Sequence, residues 1–241
     1  MKKNFNLPSV VILAGGYAER LYPKTKKIPK SLININKKPF IYHQLKLLEK
    51  KNFTNVIICL GHKSKMIKNY IKKNNVFNLN IFFSNEKKKL GTGGAIKNAL
   101  NLLDKEFFVI FGDSYLNVNY NTIYKNFIIS KKDLVVSKKF NKKYKKYSIE
   151  PEFEIKKKEV INYRNKQRFK FMNHIYYGIG IFKKSSFLKI NKLKFDLDFF
   201  FNKMILSNNL VSYEVNNKFY EIGSKVGLNE TKLFFKKKNI K

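Results

Sequence analysis

Two glycines followed by spaced cations carry the clearest chemistry in this 241-residue chain. Gly15-Gly16 closes the apolar run Val10-Val11-Ile12-Leu13-Ala14, Arg20 follows, and Lys30 sits in Ile28-Pro29-Lys30-Ser31-Leu32. A glycine pair directly after a strand lets the backbone approach a ligand, and its free N–H groups form a nest for an anion. Arg20 can fork across phosphate oxygens while Lys30 adds a point charge. A second apolar run, Phe107 to Phe111, ends at Gly112-Asp113. No Ser/His/Asp or Cys/His arrangement for nucleophilic catalysis is recognisable. His43, His62 and His174 are too scattered to make a metal site. The chemistry suggested is phosphate handling by position and charge.

The elements that must hold these residues alternate in type. Val10 to Ala14 reads as a buried strand, and Phe40, Ile41, Gln44, Leu45 and Leu48 follow helical spacing behind Pro39. Val56 to Leu60 is the next strand, Ser64 is expected to cap a helix through about Asn74, and Ile81 to Phe83 is a third strand. Gly91-Thr92-Gly93-Gly94 is expected to lead into a helix from Ala95 to Leu103, and Phe107 to Phe111 is a fourth strand. This order means βαβ units and a mostly parallel sheet, whose ligands bind outside the carboxyl ends of the strands. Both Gly15-Gly16 and Gly112-Asp113 fall at such ends.

After about Val135 the pattern changes. Ser148–Phe153, Val160–Tyr163 and Tyr176–Phe182 read as short strands in an antiparallel hairpin region covering the sheet. Asp196 to Ser207 reads as a helix, Leu210–Val215 and Phe219–Ile222 as a final strand pair, and Ser224 to Lys237 as a terminal helix. The fold class is therefore α/β, a Rossmann-like three-layer sandwich with a mostly parallel mixed sheet and a small antiparallel hairpin region. One domain over residues 1–241 is expected.

Composition removes several classes. Lys+Arg number 51 against 16 Asp+Glu, a formal charge of +35, which ordinarily points to nucleic acid or an anionic membrane. Only Arg20, Arg164 and Arg168 are arginines, however, and arginine is the usual reader of bases and phosphates. The excess lysine is spread along the chain beside many Asn, Ile and Phe, all residues with A/T-rich codons. Neither nucleic acid nor membrane is expected as a partner. The single Cys59 lies in an apolar run and reads as a buried thiol. The apolar stretch near the N-terminus is too short for a signal peptide, and no segment approaches the ~18 apolar residues of a span. A cytoplasmic location is expected.

The stretch from Leu13 to Thr25, continued by Pro29-Lys30-Ser31-Leu32, resembles the signature of sugar-1-phosphate nucleotidyltransferases, roughly L-A-G-G-x-G-x-R-L-x-P-x-T and then P-K-x-L. Within that family it is most like the mannose- and heptose-1-phosphate guanylyltransferases. Ala18 stands where the family has a third glycine, and Glu19 replaces a small polar residue. Glu86 to Ala95 is similar to the family's base-recognition segment E-x-x-x-L-G-T-G/A-G-A, Gly112-Asp113 to its metal-binding G-D, and Glu221-Ile222-Gly223-Ser224 to its late D-I-G-T.

The resemblance implies attack of a sugar 1-phosphate oxygen on the α-phosphorus of a nucleoside triphosphate, releasing pyrophosphate. The nucleophile is already an anion at neutral pH, so positioning and charge neutralisation carry the catalysis. Arg20 and Lys30 are the implied catalytic cations, and Leu13, Ala14, Gly15, Gly16, Glu86, Gly91 and Thr92 the nucleotide contacts. Gly112, Ser148, Lys166 and Tyr177 are the implied sugar-phosphate contacts. Asp113 is the implied Mg²⁺ ligand, since Mg²⁺ takes one or two carboxylates plus phosphate oxygens. Glu221 would be the second carboxylate, one methylene longer than the family's Asp. A carboxylate at Glu86 can accept two hydrogen bonds from guanine, whereas uracil and thymine offer one ring N–H, which favours GTP. Tyr176 stands where close relatives often carry Asp and leaves the sugar open. A homo-oligomer is expected by analogy. A cytidylyltransferase on a sugar phosphate or phosphocholine-like substrate remains an alternative reading. So does a catalytically weakened sugar-nucleotide binding protein.

Overall fold

The computed structural model describes residues 6–17, 21–22, 24–74, 76–164 and 166–238. Ala18, Glu19, Arg20 and Pro23 lie outside the described residues, and so does the side chain of Lys166.

β1 (Val10–Leu13) opens the sheet, and its β-branched residues pack on both faces. A short helix α1 (Lys24–Lys27) and the small ribbon of β2 (Asn34–Ile35) and β3 (Lys38–Pro39) precede α2 (Phe40–Lys50). β4 (Asn55–Leu60), α3 (Ser64–Lys73), β5 (Asn80–Asn85), α4 (Gly91–Asn98) and β6 (Glu106–Phe111) follow. β5, β4, β1 and β6 lie side by side and parallel. Alternate residues of these strands enter different apolar clusters. Val10, Ile12, Val56 and Ile58 pack with α2, α3 and, from later in the chain, Ile123 and Phe127, whereas Val11, Ile57, Phe107 and Val109 pack with α4, Phe187 and Phe200. Strands covered on both faces are apolar throughout, which is why they read as runs rather than alternations.

The second half contains β7 (Ser114–Tyr115), α5 (Tyr120–Ser130), β8 (Asp133–Lys139), β9 (Phe153–Lys156), β10 (Glu159–Tyr163) and β11 (His174–Lys183). It ends with α6 (Lys184–Leu188), α7 (Leu197–Leu206), β12 (Leu210–Glu214), β13 (Tyr220–Glu221) and α8 (Lys225–Lys238). The sheet continues from β6 through β11, β8, β12, β10 and β9. β11 runs antiparallel to β6 and β8, and β12 is parallel to β8. The sheet is mixed, as expected, with its parallel pairs concentrated in the first half and one more, β12–β8, in the second.

Several expectations are corrected. The β9–β10 hairpin does not cover the sheet but extends its edge, and β9 bridges back to β11 at Phe153–His174. Residues 148–152 form no strand. Pro151 withholds a ladder N–H, and Ser148 turns the chain in the left-handed region at φ 59°. β12 and β13 do not pair with each other. β13 joins β7, Tyr220 opposite Tyr115 and Glu221 opposite Ser114, and so carries residues 221–223 to Asp113. Ser64 begins α3 without capping it, because Lys63 holds the cap position in the left-handed region. The Gly91–Gly94 segment is itself the first turn of α4, which ends at Asn98 before a separate turn at Leu100–Leu102. α5, whose cap Asn119 accepts from the Thr122 N–H at 3.1 Å, and β8 extend a region with no sequence expectation.

Candidate active site

At the carboxyl ends of β1, β4 and β6 lies a cavity of about 450 Å³. Leu13, Ala14, Gly15, Gly16, Lys30, Glu86, Gly91, Thr92, Gly112 and Asp113 all line it, so most of the sequence-singled residues converge on one space. Tyr17, Asn98, Asp196 and Gly223 complete much of the wall.

The backbone explains the glycine that precedes Asp113. The Gly112 N–H donates to the Leu13 carbonyl at 2.9 Å, and a Cβ at Gly112 would stand 2.6 Å from that oxygen. Only glycine lets the ends of β1 and β6 approach this closely, bringing Asp113 beside the Gly15-Gly16 turn.

Lys30 Nζ donates to Asp113 Oδ2 at 2.6 Å, and Ser114 Oγ donates to Oδ1 at 3.1 Å. The segment carrying Asp113 is pinned from below by Gln44, 1% exposed on α2. Its Nε2 donates to the carbonyls of Phe111 and Ser114, at 2.9 Å each. Sequence reading placed Gln44 on an apolar helical stripe. An amide at such a position was the available signal of a buried polar duty.

Glu86 accepts the Leu90 N–H on Oε2 at 3.0 Å, while Oε1 lies over Gly15 and Gly61. The carboxylate therefore closes one end of the cavity, held by its own loop.

Thr92 also has a structural duty. Its N–H and hydroxyl both donate to Asp196 Oδ1, at 2.9 and 3.2 Å, and its hydroxyl oxygen accepts the Leu197 N–H at 2.8 Å. Each residue thus caps the other's helix, binding α4 to α7 through the N–H groups that helix starts leave open. The glycines beside it serve the same packing. A Cβ on Gly93 would meet the Phe195 ring at 2.3 Å, and one on Gly91 the Phe195 carbonyl at 2.6 Å. Asp196 was read from sequence only as the start of a helix; its place in the wall comes from a contact across 104 residues.

Glu221 is turned onto its own chain. Its Oε2 accepts from the Gly223 N–H and from the Ser224 N–H at 3.0 Å, and its Oε1 accepts from the Ser224 hydroxyl. Burial raises its pKa most, those hydrogen bonds lower it, and the Asp113 carboxylate raises it again. A Cβ on Gly223 would lie 2.9 Å from Asp113 Oδ2 and 3.0 Å from Glu221 Oε2, so the two carboxylates face one another across this residue. Among the described residues no group of three or more His, Cys, Asp or Glu could hold a metal. A hard cation that takes one or two carboxylates and completes its shell with phosphate and water fits this donor set, with Asp113 on the cavity wall and Glu221 behind it.

A second cavity of about 360 Å³ shares Thr92, Phe111 and Asp196 with the first. Glu152, Tyr163, Arg164, Tyr176 and Asp198 line it as well. Two expected contacts are not brought to either wall. Tyr177 is 3% exposed in the core and its hydroxyl donates to the Lys218 carbonyl at 3.3 Å, while Ser148 ends the 142–147 turn. Tyr177 lies one residue past Tyr176 on β11, where successive side chains face opposite ways.

A sequence model described as Nucleotidyl transferase matches residues 9–219. The chain is 36% identical over 113 residues to D-glycero-alpha-D-manno-heptose 1-phosphate guanylyltransferase of Campylobacter jejuni, covering 47% of this chain and 51% of that protein. It is 34% identical over 138 residues to the enzyme of the same name from Aneurinibacillus thermoaerophilus, covering 57% and 60%. The chain thus spans about half the length of the curated relatives it matches. Among solved structures, HddC from Yersinia pseudotuberculosis superposes with a TM-score of 0.80 at 24% identity, over 95% of this chain and all of that one. Its complex with GMP-PN gives 0.79 at 25%, over 95% of this chain and 100% of that one.

Proposed function

Since the chain belongs to the nucleotidyl transferase family, we propose that it condenses a sugar 1-phosphate with a nucleoside triphosphate, GTP by preference, to give an NDP-sugar and pyrophosphate. The observation that carries this reading is the convergence of the Gly15-Gly16 turn, the Lys30–Asp113 pair and Glu86 on one cavity. Guanylyltransferase names among the relatives and the GMP-PN complex of a structural neighbour support the choice of base.

In this reading a phosphate oxygen of the sugar 1-phosphate forms a bond to the α-phosphorus of the triphosphate. The bond to the oxygen bridging the α- and β-phosphorus breaks, and pyrophosphate leaves with the electron pair. The attacking oxygen is an anion, so no side chain needs to remove a proton. Lys30, with Arg20, offsets the charge of the triphosphate, the Gly15-Gly16 backbone sets its position, and Glu86 accepts from the base edge. Thr92, whose side chain is committed to Asp196, shapes the wall between the cavities. The second cavity takes the sugar, and Lys166 is assigned its phosphate. Gly112 is the sugar-side contact that lines the first cavity. Asp113, with Glu221, would hold Mg²⁺, which supplies charge neutralisation at the phosphates.

The Rossmann-like three-layer arrangement expected from sequence accommodates the helices on both sheet faces. Among the described residues no helix is long and apolar enough to cross a membrane. We place the activity in the cytoplasm, feeding surface polysaccharide or glycoconjugate synthesis, with self-association expected by analogy. The test is pyrophosphate release with Mg²⁺ from GTP, CTP, UTP, ATP and dTTP against a set of sugar 1-phosphates, beside Asp113→Ala. Release with GTP that is lost in the variant supports the reading. Release only with CTP transfers it to a cytidylyltransferase, and nucleotide binding without release turns it into a binding protein.

A further inference from the structure

The described wall of the second cavity has a charge opposite to that of the molecule. The chain holds 51 Lys+Arg and 16 Asp+Glu, yet Glu152, Asp196 and Asp198 all face this one space. Among its described lining residues the sole base is Arg164. That guanidinium is already engaged on both sides. Its Nε donates to Glu152 Oε1 at 2.8 Å, with Nη2 on the same oxygen, and Nη1 donates to Asp198 Oδ2 at 2.8 Å. Tyr163 donates its hydroxyl to Asp198 Oδ1 at 2.8 Å, and the Tyr176 N–H donates to Glu152 Oε2 at 3.1 Å. Among the described lining residues, three carboxylates against one guanidinium leave a formal excess of two negative charges.

We propose that this network selects the sugar by charge, accepting neutral or amine-bearing sugar 1-phosphates and rejecting those with a further anionic group, such as a hexuronic acid 1-phosphate. The inference rests on the nucleotidyltransferase reading and on the sugar occupying this cavity. A carboxylate-lined wall accepts hydrogen bonds from sugar hydroxyls or an ammonium group and meets another carboxylate with like-charge repulsion. Arg164 does not relieve that repulsion, because its donors are already taken by Glu152 and Asp198, and a sugar carboxylate would have to displace one of them. Asp196 serves in both walls, so the residue that joins α4 to α7 also adds to the charge met by the sugar.

The test compares three 1-phosphates that differ at one carbon, bearing a hydroxymethyl, an aminomethyl or a carboxylate group. With wild-type protein the uronate is expected to show a kcat/KM at least about 100-fold below the hydroxymethyl parent, and the amino sugar to equal or exceed the parent. In Glu152→Gln and Asp198→Asn the uronate-to-parent ratio is expected to rise about tenfold or more. The ratio is taken within each variant, so partial loss of folded protein cancels. Uronate turnover within threefold of the parent overturns the proposal alone. An unchanged ratio in both variants also overturns it. Silence of all three sugars with every nucleotide removes the nucleotidyltransferase reading, and the proposal with it.

Discussion

Lys30 and Asp113 meet at 2.6 Å across 83 residues of chain, each about one-fifth exposed at the cavity wall. In the proposed reaction a cation so held would offset charge at the phosphates. Replacing Lys30 with Met is expected to lower kcat on the order of 10²–10³-fold while nucleotide binding falls much less. Steady-state pyrophosphate release beside equilibrium binding of GTP reads the two quantities separately, and equal losses in both would remove the catalytic role. Gln44 acts one step further back, through the backbone it holds. Gln44→Leu keeps the apolar packing of α2 but strips the donors from two carbonyls that flank Asp113. The expected result is a roughly 10- to 100-fold fall in kcat with little change in KM. A fall in KM affinity without loss of kcat would show that Gln44 merely supports the fold. At this scale the sequence singled out Gly15-Gly16, Lys30 and Asp113 by residue type, and all of them line one cavity. The side chains of Thr92 and Tyr177 are committed to Asp196 and to the core. Neither commitment is encoded in nearby residues.

The elements around the cavity are joined by short, specific contacts. α4 and α7 share the Thr92–Asp196 capping exchange, and Gly93 permits Phe195 to lie against α4. Gly93→Ala would place a methyl carbon 2.3 Å from the Phe195 ring. Overpacking of that kind costs about 1–3 kcal/mol, expected as a lower urea midpoint with unchanged slope. A midpoint equal to wild type would mean that the ring rotates away without cost. A second junction lies at Asp133, fully buried on β8, which accepts from the Lys183 N–H, Ser186 Oγ and Asn209 Nδ2 at 2.8, 2.6 and 3.0 Å. Burial pushes its carboxyl up to about 6, although Ser186 and the Lys183 N–H pull it down. An acid whose folded pKa exceeds its unfolded value, near ~3.9, binds its proton more tightly when folded. The stability from this group is therefore full below about pH 4 and is lost as pH rises through about 6. Against Asp133→Asn, which does not titrate, the wild-type advantage in unfolding free energy should decline over that interval and be flat above it. An advantage that grows with pH would reverse the assignment. The helices and strands of the first half were legible because apolar runs and glycine stops are local. The second half was harder to read, since β12 and β13 look like a hairpin yet pair with β8 and β7.

Across the whole molecule the net charge of +35 imposes self-repulsion on a compact chain. Raising monovalent salt from about 0.02 to 0.3 M shortens the screening length to under ~10 Å, so the thermal midpoint is expected to rise. A midpoint that falls with added salt would show that attractive pairs, such as those of Glu230 with Lys146 and Lys218, outweigh the repulsion. The same excess of cations favours approach of a polyanion, while the carboxylates among the described residues of the second cavity give that space a different sign.

The sequence by itself determined the Gly15-Gly16 turn at the end of β1, the parallel first half of the sheet and the family, because each depends on residue types a few positions apart. Only the tertiary structure decided that Gln44 supports Asp113, that Asp196 closes the wall shared by two cavities, and that Glu152, Arg164 and Asp198 form one network. It also decided which side of β11 faces a cavity, leaving Tyr176 at its wall and Tyr177 in the core. Strand pairing and helix packing bring such residues together from distant parts of the chain, and spacing along the sequence carries no measure of that distance in space.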